Sequence, residues 1–220
     1  MEVVKVREFR LQDTDLWLLP QKAVFLPAHS ALLIADLHLG KINHFRRSGI
    51  PAPLGVNNKN LEVLVEMINN WKPQLVIFMG DLFHSHYNEE LEGFKQITHH
   101  FASVNFKLVR GNHDIMSDLQ YDRCNLKVYS ELHLDQFILT HEPMETVPQG
   151  KYNLAGHIHP GVRLHGRGRQ SLTLPCFFFG NDKGILPAFG AFTGYVRMAV
   201  KKSDAVFIVT GQKVIEMHHA

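Results

Sequence analysis

The stretch Ala31-Leu32-Leu33-Ile34-Ala35-Asp36-Leu37-His38 indicates the fold class of this 220-residue chain. Five apolar residues lead directly into an acid and a histidine. The same arrangement returns at Leu75–Asp81 and at Phe106–Asp114, where Gly80 and Gly111 stand between the apolar run and the polar group. Continuous apolar runs of this length are typical of strands that are buried on both faces. The sequence therefore predicts buried strands whose ends carry polar side chains.

Two further apolar runs end in histidine, and helical patterns separate the earlier runs. Phe137–Thr140 leads to His141, and Asn153–Ala155 leads to the segment Gly156–His159. Apolar residues repeat at helical spacing between the first three runs, at Leu61, Leu64, Val65 and Ile68 and then at Leu91, Phe94, Ile97 and Phe101. Strands that alternate with helices predict a central, partly parallel sheet, and the carboxyl ends of its strands would meet at one rim.

The last part of the chain has a different residue pattern. After Pro175 it contains short β-rich pieces at Cys176–Phe179, Ala205–Val209 and Lys213–Ile215, with glycines between them. This pattern of short β-rich segments predicts a second sheet packed on the first. We therefore expect an α/β fold, a two-sheet sandwich flanked by helices, that forms a single domain over residues 1–220.

Composition excludes several classes of protein. Hydrophobic residues make up 45% and charged residues 20% of the chain, which is typical of a folded globular protein. A net charge of +2 is well below that of a nucleic-acid coat protein. No apolar run approaches the ~20 residues that span a bilayer, and no secretory pattern is visible, so we expect no membrane association and a cytoplasmic location. Cys124 and Cys176 are too few for a disulfide framework.

The chain contains fifteen histidines, and histidine is the commonest metal ligand in proteins. Asp36 and His38 lie two positions apart, so in an extended segment both side chains would point the same way and chelate one ion. Asp81 is the natural bridge between two ions. Taken singly, each of these groups is more often a turn or a loop residue than a ligand. Their ordered occurrence at strand ends favours a metal pair with the ligands Asp36, His38, Asp81, Asn112, His141, His157 and His159.

This ordered set resembles the calcineurin-like metallophosphoesterases. The resemblance rests on five motifs, which are Asp36-x-His38, Gly80-Asp81, Gly111-Asn112-His113-Asp114, Thr140-His141 and Gly156-His157-Ile158-His159. It implies a four-layer αββα fold with two mixed sheets and a two-metal hydrolysis of phosphoesters. It also implies that Asp36, His38 and His159 bind one ion. Asn112, His141 and His157 would bind the other, and Asp81 would be shared.

A narrower resemblance concerns the ligase-associated DNA damage response endonuclease branch of that family. It rests on Ala35–Lys41, Phe45–Pro51, Gly80–Ser85, Gly156–Gly161 and a C-terminal segment at residues 186–194. It implies a phosphodiesterase that cleaves DNA in DNA repair and is associated with a DNA ligase. The alternatives are a phosphodiesterase or phosphatase for a small nucleotide or lipid-linked metabolite, and a non-catalytic scaffold. We expect two divalent ions, with manganese favoured over iron, zinc or nickel.

Two further residue sets complete the expected site. His113 is not needed as a ligand, so its imidazole can stabilise charge or protonate the leaving oxygen, and Asp114 would orient it. Basic side chains near the motifs could contact substrate phosphates or a base. The candidates for these substrate contacts are Lys41, His44, Arg46, Arg47, His84, Arg110, Arg167 and Arg169.

Overall fold

Two β-sheets pack face to face in the computed structural model, which describes residues 6–41, 56–84, 89–166, 168, 170–191 and 193–217. The first sheet contains seven strands in chain order. The first four strands pair antiparallel, and the fourth to the seventh pair parallel. These strands are β1 Arg7–Leu11, β2 Thr14–Leu19, β3 Ala23–Leu26, β4 Ala31–Ile34, β5 Leu75–Met79, β6 Asn105–Val109 and β7 Leu126–Tyr129.

The second sheet contains nine strands in the order β14-β11-β12-β13-β10-β9-β8, with β15 paired to β12 and β16 paired to β15. Strand β10 runs parallel to both β9 and β13, whereas β11 and β12 form an antiparallel pair. Its strands are β8 Leu132–Leu134, β9 Phe137–Leu139, β10 Tyr152–Ala155, β11 Pro160–His165, β12 Ser171–Phe179, β13 Lys183–Ile185, β14 Val196–Arg197, β15 Ala205–Val209 and β16 Val214–Glu216.

Helices cover the outer face of the first sheet. Helix α1 spans Val56–Trp71, α2 spans Glu89–His100 and the short α3 spans Asp118–Arg123. The apolar faces of the helices share one buried cluster with the strands β4, β5 and β6. The predicted helical spacing therefore marked the side of α1 and of α2 that packs on the sheet, whereas α3 was not predicted.

Two other apolar clusters belong to the second sheet. One lies between the two sheets and contains side chains such as Leu33 and Ile77 from the first sheet and Phe137, Phe177 and Phe207 from the second. A smaller cluster contains four buried residues, which are Val162, Cys176, Val206 and Ile208. Alternation along β11, β12 and β15 explains both clusters, because successive side chains point to opposite faces of a sheet.

The structure confirms the expected fold class, α/β with two mixed sheets, and corrects the distribution of strands. The five strands that end in candidate ligands do not share one sheet, because β9 and β10 belong to the second sheet, which therefore begins well before Pro175. Apolar runs report burial but not pairing partners, so sequence reasoning could not separate the two sheets. Among the described residues that follow β7, the structure contains no helix. The described helices therefore lie against the first sheet, and none covers the outer face of the second.

Two negative expectations can also be compared with the structure. No helix among the described residues is long and apolar enough to cross a membrane. Cys124 and Cys176 are both buried and unpaired by a disulfide, and burial raises the pKa of the Cys176 thiol to about 12. Neither cysteine therefore carries a reactive thiolate.

Leu64 tests the packing of α1 on the first sheet, because its side chain is fully buried in the cluster between them. We expect Leu64→Ala to lower the free energy of unfolding by about 2–5 kcal/mol, as a buried cavity is left behind. Denaturant unfolding of the purified variants measures this change. Glu66→Ala on the exposed side of the same helix should stay within about 0.5 kcal/mol of the parent protein.

Candidate metal centre

Loops that follow five strands meet at one end of the two sheets. Backbone hydrogen bonds tie the loops together: the His38 N–H donates to the Asp81 carbonyl at 2.8 Å, and the Gly156 N–H donates to the His141 carbonyl at 3.0 Å. As a result, the structure brings together all seven of the predicted ligand residues. They come from the ends of β4 (Asp36, His38), β5 (Asp81), β6 (Asn112), β9 (His141) and β10 (His157, His159).

Asp36, His38 and His159 form one cluster, called here the first metal group. The two Nε2 atoms of His38 and His159 are 3.4 Å apart, and Nε2 of His159 lies 3.5 Å from Oδ1 of Asp36. Atoms that bind one ion at about 2.1 Å are separated by roughly 3–3.5 Å, so the spacing fits a shared metal. Asp36 Oδ1 is also buried and accepts no hydrogen bond within the described part of the chain.

Asp81, His141 and His157 form the second metal group, together with the amide oxygen of Asn112. Nε2 of His141 lies 2.8 Å from Asn112 Oδ1, 3.1 Å from His157 Nδ1 and 3.4 Å from Asp81 Oδ1. The Nδ1–H of His141 donates to the Met79 carbonyl at 3.2 Å. In a neutral ring this bond leaves a lone pair on Nε2, facing three other electron-rich atoms, an arrangement that a cation would stabilise.

Asp81 stands between the two groups. Its Oδ2 lies 3.8 Å from Nε2 of His38 in the first metal group, and its Oδ1 faces His141 in the second. The same Oδ1 accepts a hydrogen bond from the His113 N–H at 2.9 Å, which fixes the orientation of the carboxylate. One oxygen toward each group is the geometry that a bridging carboxylate requires.

Burial keeps the imidazole of His38 in the form that binds metals. Desolvation, with the charge of Lys41 as the next cause, lowers the pKa of His38 to about 2. The ring is therefore neutral at physiological pH, with a lone pair free for coordination. The pKa of Lys41 is itself lowered by burial, and the carboxylates of Asp81 and Asp36 oppose that shift. The predicted substrate residue Lys41 thus lies within electrostatic reach of both metal groups.

The backbone of the ligand loops is left-handed, not extended. The φ angles are 54° at Asp36 and 51° at His38, so the expectation of an extended chelating pair is wrong. The same conformation recurs at Asp81 (50°), His157 (66°) and His159 (52°). Non-glycine residues adopt it rarely, at a cost of about 1–3 kcal/mol each, and such residues concentrate at functional sites.

Glycine is required at positions 80 and 111 because neighbouring ligand residues lie too close to leave room for a side chain. A Cβ on Gly80, where φ is +80°, would lie 2.1 Å from Nδ1 of His141. A Cβ on Gly111 would lie 2.3 Å from the backbone nitrogen of Asp81. Any larger residue at either position would push the ligand loops apart. The two glycines therefore allow the loops of the two metal groups to approach each other.

His113 lies beside the first metal group, with its ring centroid 5.7 Å from that of His38 and 4.5 Å from that of His84. The expectation that Asp114 orients the His113 ring is not what the contacts show. Its buried carboxylate accepts the N–H groups of Gly111 at 2.9 Å and Phe83 at 3.1 Å. Burial raises the pKa of Asp114 to about 6, and these two hydrogen bonds oppose the shift. Asp114 therefore positions the loop that carries His113.

The predicted substrate residues are distributed unevenly. His84 is half-buried beside His113, whereas Arg110 is exposed and paired with Asp118 at 2.5 Å. The remaining candidates lie outside the described residues and are His44, Arg46, Arg47, Arg167 and Arg169. Arg110 also lines an open cleft of about 790 Å³ that extends from Asn112 and His141 of the second metal group.

Sequence reasoning missed a residue that holds His141 in place. Asn153 is fully buried in β10, where its amide donates to the Ile138 carbonyl at 2.9 Å and to Thr140 Oγ1 at 2.8 Å. Its oxygen accepts the N–H of Met144 at 2.9 Å. These three bonds fix the chain on both sides of His141. The available signal was a polar residue at the start of an otherwise apolar strand.

Metal loading tests the division into two groups. Asp81 faces both groups, so we expect Asp81→Ala to reduce the bound metal to well under one ion per chain. His159→Ala removes a ligand of the first metal group only, so one ion should remain. Elemental analysis after stripping and reloading with manganese gives the stoichiometry. Equal losses in both variants would contradict two groups that share Asp81. His133→Ala, which changes an exposed side chain on β8, is the control.

Comparisons with known proteins identify the family of the chain. The profile of the calcineurin-like phosphoesterase family matches residues 29–174, more than half of the chain. Among solved structures, the Pseudomonas putida nuclease MPE is 29% identical, with a TM-score of 0.82 over 97% of this chain and 100% of that chain. Yfce, a phosphoesterase from E. coli, is 13% identical with a TM-score of 0.44 over 85% of this chain and 97% of that one. A comparison with curated proteins gives no match. The chain therefore belongs to the calcineurin-like phosphoesterase family of metal-dependent hydrolases.

Proposed function

We propose that this hydrolase is a two-metal phosphodiesterase that cleaves DNA, an endonuclease of DNA repair that works in association with a DNA ligase. The observation that carries the proposal is the pair of metal groups that meet at Asp81. Two adjacent cations are suited to an in-line displacement at phosphorus, where both the attacking and the leaving oxygen need stabilisation.

We assign one divalent ion to Asp36, His38 and His159 and another to Asn112, His141 and His157, with Asp81 shared. When bound, such ions act as Lewis acids on phosphoryl oxygens and lower the pKa of water toward neutrality. Manganese is our preferred identity, since the groups combine imidazole nitrogen with carboxylate and amide oxygen. The protein contributes ligands that are already oriented, because Met79 fixes His141 and the His113 N–H fixes Asp81.

His113 takes the role of general acid in this proposal. Its ring lies beside the first metal group and is not a member of either group. Its backbone N–H is bonded to the shared carboxylate, which fixes the backbone of His113 relative to both groups, and its ring lies against those of His38 and His84. Asp114 supports it through the loop, and Lys41 and His84 are candidates to contact a non-bridging oxygen. A proton donated to the leaving oxygen would complete the hydrolysis.

DNA is the favoured substrate because of the likeness to a nuclease. The nuclease MPE matches nearly the full length of both chains, so the likeness extends beyond the loops that carry the metal groups. The cleft beside the second metal group is open, so the centre is not enclosed on that side. A metabolite enzyme would instead be expected to enclose a small ligand.

The decisive test compares four substrates with one enzyme preparation. Protein stripped of metal and reloaded with manganese is assayed on a nitrophenyl phosphodiester, the corresponding monoester, single-stranded DNA and cyclic nucleotides. We expect turnover of the diester and internal cleavage of the DNA, both lost on chelation. Hydrolysis of the monoester alone would overturn the diesterase assignment. Turnover of cyclic nucleotides without DNA cleavage would indicate a metabolite enzyme.

His113 is tested separately from metal binding. We expect His113→Ala to lower kcat for the nitrophenyl diester by roughly 10²–10⁴-fold, as a general acid is lost. The metal content should stay that of the parent protein, because the ring belongs to neither metal group. The exposed His133→Ala is the matched control. An unchanged kcat in His113→Ala would remove the residue from the reaction.

A further inference from the structure

One exposed face of the second sheet adjoins the metal centre through His159. The backbone carbonyl of His159 accepts the N–H of Val196 at 3.0 Å, and the strands that follow, β11 and β14, run parallel with Gly161 opposite Arg197. Residues two apart on a strand share a face. Arg163, two positions after Gly161 on β11, therefore lies on the same face as Gly161 and its register partner Arg197. Tyr195 precedes β14, and its close approach to Gly161 places it beside the same face. We call this surface the Gly161 face.

Tyr195 is the aromatic part of this face. A Cβ on Gly161 would lie 2.8 Å from Cβ of Tyr195, so the absent side chain of the glycine allows the tyrosine to approach the strand. Tyr195 is nevertheless 45% exposed. An aromatic ring supported by a sheet and open to solvent is the kind of platform on which unpaired bases stack.

Two arginines supply positive charge beside this ring. Arg163 and Arg197 are both exposed, and within the described ranges neither guanidinium forms an ion pair with a carboxylate. The hydroxyl of Ser171 on β12 accepts a hydrogen bond from Arg163 at 2.8 Å, which holds the guanidinium along the strand and leaves most of its five donors for a ligand. Unneutralised arginines next to an exposed aromatic ring complement a nucleic-acid strand.

The opposite side of the metal centre has the other sign of charge. The cleft beside Asn112 and His141 is lined by the carboxylates of Asp118, Asp122 and Glu142, and of these Asp118 is paired with Arg110. Asp122 and Glu142 are exposed, so they would repel a run of phosphates on that side. The charges around the centre therefore favour a path for a polyanionic strand across the Gly161 face and not through the acidic cleft.

We propose that single-stranded DNA leaves the metal centre across the Gly161 face, with a base stacked on Tyr195 and backbone phosphates bound by Arg163 and Arg197. This inference rests on the proposed function and adds to it the strandedness of the substrate and the direction of its path. A base that remains paired in a duplex cannot stack on the ring, so duplex DNA uses the arginines alone. On the other side of the scissile phosphate, the acidic cleft offers the strand no comparable phosphate contact.

Binding of a phosphorothioate-linked, fluorescein-labelled single strand to the manganese-loaded protein tests the path. Tyr195→Ala should weaken binding by about 5- to 150-fold, the range of a lost base–aromatic stack, and Tyr195→Phe should restore it. A strand that contains 2-aminopurine should lose its fluorescence quenching in Tyr195→Ala but not in Tyr195→Phe. For Arg163→Ala, the slope of log Kd against log salt should fall by about 0.7, the value for one phosphate contact to a single strand.

Controls separate this proposal from the proposed function. Arg123→Ala changes an exposed arginine on α3, away from the Gly161 face, and should leave strand binding unchanged. All four variants should hydrolyse the nitrophenyl diester at the parental rate, because none changes a ligand or His113. If the parent protein cleaves DNA while Tyr195→Ala and Arg163→Ala bind the strand normally, the path is wrong and the proposed function stands. If the parent protein cleaves no DNA, the proposed function itself fails.

Discussion

Removal of carboxylate oxygens and imidazole nitrogens from water is the constraint on which the rest of this structure depends. Asp36 and Asp81 are almost completely buried, and an ionised carboxylate in that position costs several kcal/mol unless a positive partner compensates it. The partners within the chain are mainly imidazole rings and backbone N–H groups. Divalent cations bound to the two metal groups would supply the positive charge that these partners lack.

Sequence reasoning succeeded where residue type and position are directly linked to physical chemistry. Strand β5 was predicted with its observed bounds because five apolar residues ending at glycine have few other uses in a folded chain. The seven candidate ligands lie together as expected, because oxygen and imidazole donors recur at successive strand ends that meet at one end of the sheets. Both inferences used local information, and local information was sufficient for them.

The failures arose where non-local information decides the outcome. The division of the strands between two sheets depends on pairing, which an apolar run does not encode, and β9 and β10 were therefore placed with the wrong neighbours. The left-handed backbone at Asp36 and His38 follows from hydrogen bonds to the Asp81 loop, which no residue-by-residue preference reveals. The anchoring of Asp114 on Gly111 and Phe83 is also a property of the assembled loops.

Each metal group draws its ligands from both sheets, which couples the centre to the architecture as a whole. In the first group Asp36 and His38 follow a strand of the first sheet and His159 follows a strand of the second, and the second group is divided in the same way. Cations bound there would link the two sheets to each other. A ligand that binds only the folded state stabilises it by mass action, so resistance to heat and proteolysis should rise with the concentration of free metal.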